Sequence, residues 1–248
     1  MKIKHIISLG YFCSPALELE RFGYRDSSYP FDWLITDFPV VVRLINNHFD
    51  EILQYDNMSQ KHDMPYLYRD DKYNIEFYHD FNKYQPLSKQ LNFVRDKYLQ
   101  RIKRFYDSIH EPTLFVRYIS DEHVDEEGKS LELKWIEENF ADINSLIKSF
   151  NANNRILYIS NFGQKSKIVD LFFVTKDLGD TVCRKPFENN SDIPNYILNF
   201  EYDSFLKARN LDFYYRKLRR AKRMKIWNRL VNKLQKIFYK EYHHNKTY

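Results

Sequence analysis

A chain of 248 residues with 43% hydrophobic and 17% aromatic side chains can bury one sizeable core, which excludes an intrinsically disordered protein despite 29% charged residues. Five glycines in the whole chain leave no P-loop and no glycine-rich dinucleotide fingerprint, and two distant cysteines, Cys13 and Cys183, make neither a disulfide framework nor a zinc knuckle. The formal net charge of +5 is divided unevenly: residues 204–248 hold fourteen Lys or Arg against two acids, and residues 1–203 hold 25 against 32.

Ile3 to Leu9, with Ile3, Ile6, Ile7 and Leu9, has the apolar, β-branched character of a buried strand. The stretch "SPALELERFG" places Ser14 at an N-cap, Pro15 at the first helical position and Gly23 where a helix stops. Pro30 favours an extended Tyr29, and Asp37 is placed to cap a helix running to about His48. "KYNIEFYHDF" alternates as a strand does, and "PLSKQLNFVRDKYLQRIKRFYDSI" after it has helical spacing. From Thr113 the order is regular: "TLFVRYIS" as strand, "ELKWIEENFADINSLIKSF" as helix, "RILYIS" as strand, an irregular or helical stretch, then a short strand near "DTVCRKP". Such alternation needs crossover connections, so residues 1–203 are predicted to form an α/β domain, a mostly parallel sheet with helices on both faces.

Residues 204–248 read as an extension of a different kind. Leu211, Tyr214, Leu218, Ala221, Met224 and Trp227 recur at three- and four-residue steps, with Arg219, Arg220, Lys222, Arg223 and Lys225 around them. A basic amphipathic helix of this sort can lie in the headgroup region of an anionic bilayer, with Trp227 and its apolar neighbours as the grip, or pack on the acidic body of the same chain. Nucleic acid has only the charge in its favour, because no recognised binding motif accompanies it.

Ligands of open α/β sheets bind at the carboxyl ends of strands, and Cys13 follows the first strand at the start of a helix. There the helix dipole favours the thiolate, the attacking form; the alternative is a small apolar plug in the core. His79 in "EFYHDF" ends a predicted strand and is the histidine best placed to serve as base. Asp32, between Pro30 and two aromatics, is either the group that orients His79 or an N-cap for the segment starting at Trp33. Arg117, a lone guanidinium in an apolar run, either pairs with an internal acid or binds an anionic group. Asn161 and Gly163 occupy the equivalent turn one unit later. The pairs His62-Asp63 and His79-Asp80 match no metal motif, so no metal and no cofactor is expected. Cysteine usage and a seven-residue N-terminal apolar run, too short to span a bilayer, favour a cytoplasmic protein, peripheral at the inner membrane face if the tail binds there.

The stretch "IISLGYFCSPALELERFGYRDSSYPFDWL" resembles the signature of a bacterial domain-of-unknown-function family described as papain-like cysteine peptidases. The matching residues include Ser8, Leu9, Gly10, Cys13, Gly23, Arg25, Pro30, Phe31, Asp32 and Trp33; "FYHDF" and "LFVRYISDE" resemble later blocks. The resemblance implies a cysteine-dependent site with Cys13 as nucleophile and His79 as base. It implies an acyl intermediate handed to water or to another acceptor, from a peptide, glycan or other acyl substrate. A cysteine just after the first strand also looks like the arrangement in capsule-polysaccharide acyltransferases, where Tyr11 and Phe12 here replace an asparagine step. Gly10, Ser14, Trp33, Arg117 and Asn161 are the expected substrate-binding residues, and a non-catalytic module bound to a membrane through its tail is the rival reading.

Overall fold

The computed structural model describes residues 2–62, 64, 67–82, 84–161, 166–168, 171–174 and 184–202. The basic extension, including Arg219, Arg220, Lys222, Arg223, Lys225 and Trp227, lies outside the described residues, as do Cys183, Gly163 and most of the strand expected near "DTVCRKP".

The chain opens with β1 (Lys2–Ile3) and β2 (His5–Ser8), turns into α1 (Ser14–Arg21), and passes a 3-10 turn (Pro30–Trp33) to β3 (Leu34–Ile35) and α2 (Phe38–Asn46). Three short strands follow, β4 (Met58–Gln60), β5 (Tyr68–Asp70) and β6 (Ile75–Phe77), and then α3 (Leu87–Ile109). The second half runs β7 (Thr113–Tyr118), α4 (Leu131–Glu138), α5 (Phe140–Phe150), β8 (Arg155–Asn161), β9 (Leu171–Val174), α6 (Pro186–Asn189), α7 (Asp192–Leu198) and β10 (Glu201–Tyr202).

The α/β expectation holds. Strands β2, β7, β8 and β9 lie side by side in that order, all parallel. Every residue of β7 is buried, as a strand covered on both faces must be. Side chains alternate across it: Phe115 joins a core with α2, α3, α4 and α5, whereas Leu114, Val116 and Tyr118 join a smaller core with α1, α6 and α7. The antiparallel sheet β3-β6-β5-β4 was not expected in full. Only β6 was legible, because β4 and β5 are three residues long and partly polar, too short for alternation to register.

Local signals account for most boundaries. Gly23 has φ +74°, the left-handed geometry that ends a helix most readily at glycine. In α3, Leu91, Val94, Tyr98, Ile102, Phe105 and Ile109 form one buried stripe at helical spacing. The helix expected across residues 132–150 is broken at Asn139, whose backbone N–H (3.0 Å) and side-chain amide (2.8 Å) both donate to the Trp135 carbonyl, ending α4 one residue before α5 begins.

The amino end of the sheet is tied by His5, whose two ring nitrogens meet Asp26 at 2.9 Å and Glu111 at 3.0 Å. Burial alone would lower the proton affinity of this imidazole; hydrogen bonds and charges from Asp26 and Glu111 outweigh it and hold the pKa above its ordinary value. A raised folded pKa stabilises the fold fully below about pH 6.5, the unfolded value, and that stabilisation fades as pH rises through the folded value. His5→Gln is therefore expected to lower Tm more at about pH 6 than at about pH 8.5. Equal losses at both pH values, read by calorimetry, would show that the ring is neutral throughout.

Candidate functional site

The turn after β2 is held by backbone. Leu9 N–H donates to the Val116 carbonyl at 2.8 Å, and the Gly10 carbonyl accepts from Tyr118 N–H at 3.0 Å. Gly10 has φ +83°, and a Cβ there would lie 3.1 Å from Arg117 Nη1, so the position suits glycine on two counts. Cys13, rather than the expected Ser14, is the N-cap of α1; the boundary is one residue earlier because Cys13 is already helical (φ −69°, ψ −22°) and its carbonyl accepts from Leu17 N–H. The Cys13 side chain makes no cap hydrogen bond to the first turn of α1. Cys13 is a thiol rather than half of a disulfide, and it is 7% exposed. Ser14 is buried and its hydroxyl donates to the Arg184 carbonyl. The Arg184 guanidinium lies 5.7 Å from the Phe12 ring, and Glu18 of α1 accepts from the N–H groups of Phe187 (3.1 Å) and Glu188 (3.3 Å). Strand end and helix start are thus clamped from the α6 side.

Asp32 is fully buried in the 3-10 turn. Its Oδ2 accepts from Tyr29 N–H at 2.8 Å and from Arg25 Nη2. Burial pushes its carboxyl up, while the Arg25 charge and these hydrogen bonds pull the other way. The structure therefore gives this oxygen to the turn and to Arg25, and the Arg25 guanidinium lies 5.4 Å from the Trp33 ring. His79 is exposed just beyond β6 and meets that same Trp33 edge to face, ring centroids 5.9 Å apart. Asp80 beside it is anchored to α3, accepting from the Tyr98 hydroxyl at 2.8 Å and from Lys97. Trp33 and His79 are brought together; Asp32 meets Arg25, which lies against that Trp33.

Arg117 takes the first of its two readings, pairing with an internal acid. With no exposed surface, it donates from Nε and Nη2 to Glu132 (2.9 and 2.6 Å), from Nη1 to the Leu9 carbonyl (2.8 Å) and from Nη2 to the Thr36 carbonyl (2.9 Å). Its fork is committed to the protein. Asn161 ends β8 opposite Val174, and its side chain lies outside the described residues. The roles of Glu132, Asp80 and Arg184 were not foreseen. Glu132 stands in the apolar-facing row of α4 beside Leu133 and Ile136, the one signal that could have marked it as a partner for Arg117.

A cleft of about 650 Å³ opens beyond the carboxyl ends of β2 and β7, walled by Tyr11, Phe12, Thr36, Arg69, Asp121 and Arg184 among others. A larger hollow of about 960 Å³ lies against the amino-terminal half of β8, under α5, away from Cys13. The smaller cleft is the one at the address where α/β enzymes bind ligands. Among the described residues no group of three His, Cys, Asp or Glu is arranged to hold a metal ion, and no helix is long and apolar enough to cross a membrane.

Residues 4–144 match the family described as putative papain-like cysteine peptidase (DUF1796), more than half of the chain. The chain belongs to that family. An uncharacterised protein of Acanthamoeba polyphaga mimivirus is 30% identical over 182 residues, which covers 64% of this chain and 79% of that protein. This relative is viral, so the bacterial setting of the resemblance is not carried by it. No solved structure matches the chain. The matched span takes in Cys13, Asp32, His79, Arg117 and Glu132, and ends within α5.

Removing one partner of a buried pair leaves the other charged and unpaired, at about 3–5 kcal/mol. Arg117→Met is expected to cost about that much in urea unfolding, and Arg117→Lys to recover only a minor part, because one ammonium cannot reproduce a planar fork serving three acceptor groups. Gly10→Ala is expected to cost about 1 kcal/mol or more from φ and the Arg117 contact together. Wild-type midpoints in any of these variants would show that the pair does not hold the turn.

Proposed function

We propose that the protein is a cysteine-dependent acyl-transfer enzyme in which Cys13 is the nucleophile and His79 the base. The family supports the enzyme class, and one structural observation supports the assignment to Cys13: the residue ends the β2 turn and is the N-cap of α1, beside the positive end of the helix dipole. Backbone N–H groups at the start of α1, near Cys13 and Ser14, would then serve a developing oxyanion, Pro15 having none to offer.

In the first step His79 takes the thiol proton and the sulfur bonds to the carbonyl carbon of the acyl substrate. The tetrahedral adduct collapses, the bond to the leaving amine or alcohol breaks, and the imidazolium returns its proton to that group. Water or a second hydroxyl, deprotonated by the same imidazole, then attacks the thioester, and the thiol is restored. Trp33 positions His79 through its ring edge, and Asp32 and Arg25 hold Trp33; these are positioning residues.

With Cys13 only 7% exposed, its reactivity in the native state is the decisive property. Iodoacetamide labelling read by peptide mapping separates Cys13 from Cys183. The expected result is native-state labelling of Cys13 faster than free cysteine at about pH 7, slowed roughly tenfold by His79→Ala. Labelling of Cys13 only after denaturation would assign it to the core and end this reading. A turnover screen of thioesters beside peptides, with Cys13→Ser as the blank, then identifies the acyl donor.

A further inference from the structure

The cleft beyond β2 and β7 holds polar atoms that the proposed chemistry at Cys13 does not use. Thr36 is 2% exposed; its backbone N–H donates to the Tyr11 carbonyl at 3.1 Å and its own carbonyl accepts from Arg117, yet its hydroxyl is buried without a hydrogen bond. The Arg184 side chain is 10% exposed; Nη1 serves Asp121 (2.9 Å) and the Tyr118 hydroxyl (3.4 Å), and the buried Nε–H has no acceptor. The Arg69 Nε–H on the second sheet is buried in the same condition, with Asp71 3.6 Å away, beyond hydrogen-bond reach. All three residues line the cleft. A buried polar group left unpaired costs about 1–3 kcal/mol, so three such donors around one opening are groups that an oxygen acceptor entering from outside would satisfy.

The charges decide what carries that acceptor. Lys61 is paired with Glu76, Arg184 with Asp121 and Arg69 at 3.6 Å with Asp71, and among the described residues Asp37 and Glu122 of the lining have no ion-pair partner. Asp37 makes no cap bond to α2. With the lining slightly negative, a free dianion is disfavoured, and a simple cation leaves the buried donors unmet. We propose that this cleft binds a small zwitterion, its carboxylate or phosphoryl oxygens on Arg184, Thr36 and Arg69 and its ammonium group on Asp37 and Glu122. The proposal stands whether or not Cys13 reacts.

Ligand-observed NMR titration of the full chain with 4-aminobutyrate, butyrate and butylamine tests it, since the three probes share a length and differ in charge. Saturable binding of 4-aminobutyrate is expected, with butyrate and butylamine about tenfold weaker or more. Arg184→Lys keeps the charge and removes Nε–H, and Thr36→Val keeps the shape and removes the hydroxyl; each is expected to weaken the zwitterion about tenfold. Cys13→Ser is expected to bind as wild type, which separates this site from the chemistry at the sulfur. Absence of saturation up to about 20 mM, butyrate binding as well as 4-aminobutyrate, or wild-type affinity in both cleft variants overturns the proposal. To separate carboxylate from phosphoryl ligands, 2-aminoethylphosphonate is titrated in parallel; the tighter of the two zwitterions names the source, and equal weakness with the single-charge probes counts against both.

Discussion

The buried pair of Arg117 and Glu132 is the constraint around which the carboxyl end of the parallel sheet is arranged. A guanidinium without solvent contact is tolerable only when its donors are met, and here they are met by Glu132 and by the carbonyls of Leu9 and Thr36. Glu132 in turn accepts from Phe38 N–H at 3.0 Å and Ser120 N–H at 3.2 Å. One ion pair therefore joins the end of β2, the step from β3 into α2, the end of β7 and the first turn of α4. None of these segments can shift without unsatisfying a charge in a low-dielectric interior, where the penalty is large.

That arrangement explains why the turn carrying Cys13 has one geometry. Leu9 is held from one face by Arg117 and along the strand by Val116; Gly10 leaves room for the guanidinium; Tyr11 receives Thr36 N–H. From the opposite face α6 and Arg184 grip Ser14 and Glu18. The sulfur stands between two rigid supports, and such a site is held in place by its scaffold rather than by its own loop.

The histidine side is organised by a second chain of contacts. Asp32 secures Arg25 and the Tyr29 turn, Arg25 lies against Trp33, and Trp33 meets His79; Asp80 fixes the far side of the same segment to α3. The motif "PFDW" thus acts as a unit, with its acid working inside the turn and its indole facing the imidazole. A buried aspartate in a 3-10 turn and an orienting group for histidine look alike in sequence, since both place a carboxylate between large aromatics.

By itself the sequence determined the elements whose signals are local and long enough to repeat: β2 and β7 from runs rich in β-branched and other apolar residues, α1 from Pro15 and Gly23, α3 from its stripe, and the parallel order from alternation. It also placed Cys13 at a strand-to-helix junction. Tertiary structure alone decided the partner of Arg117, the use of Asp32, the second sheet and the cleft charges. These depend on contacts such as Arg117 with Leu9 and Ser14 with Arg184, 108 and 170 residues apart, and periodicity carries no information about which distant groups meet. A buried charge takes whichever partner the completed fold brings within reach, and that choice is made by packing.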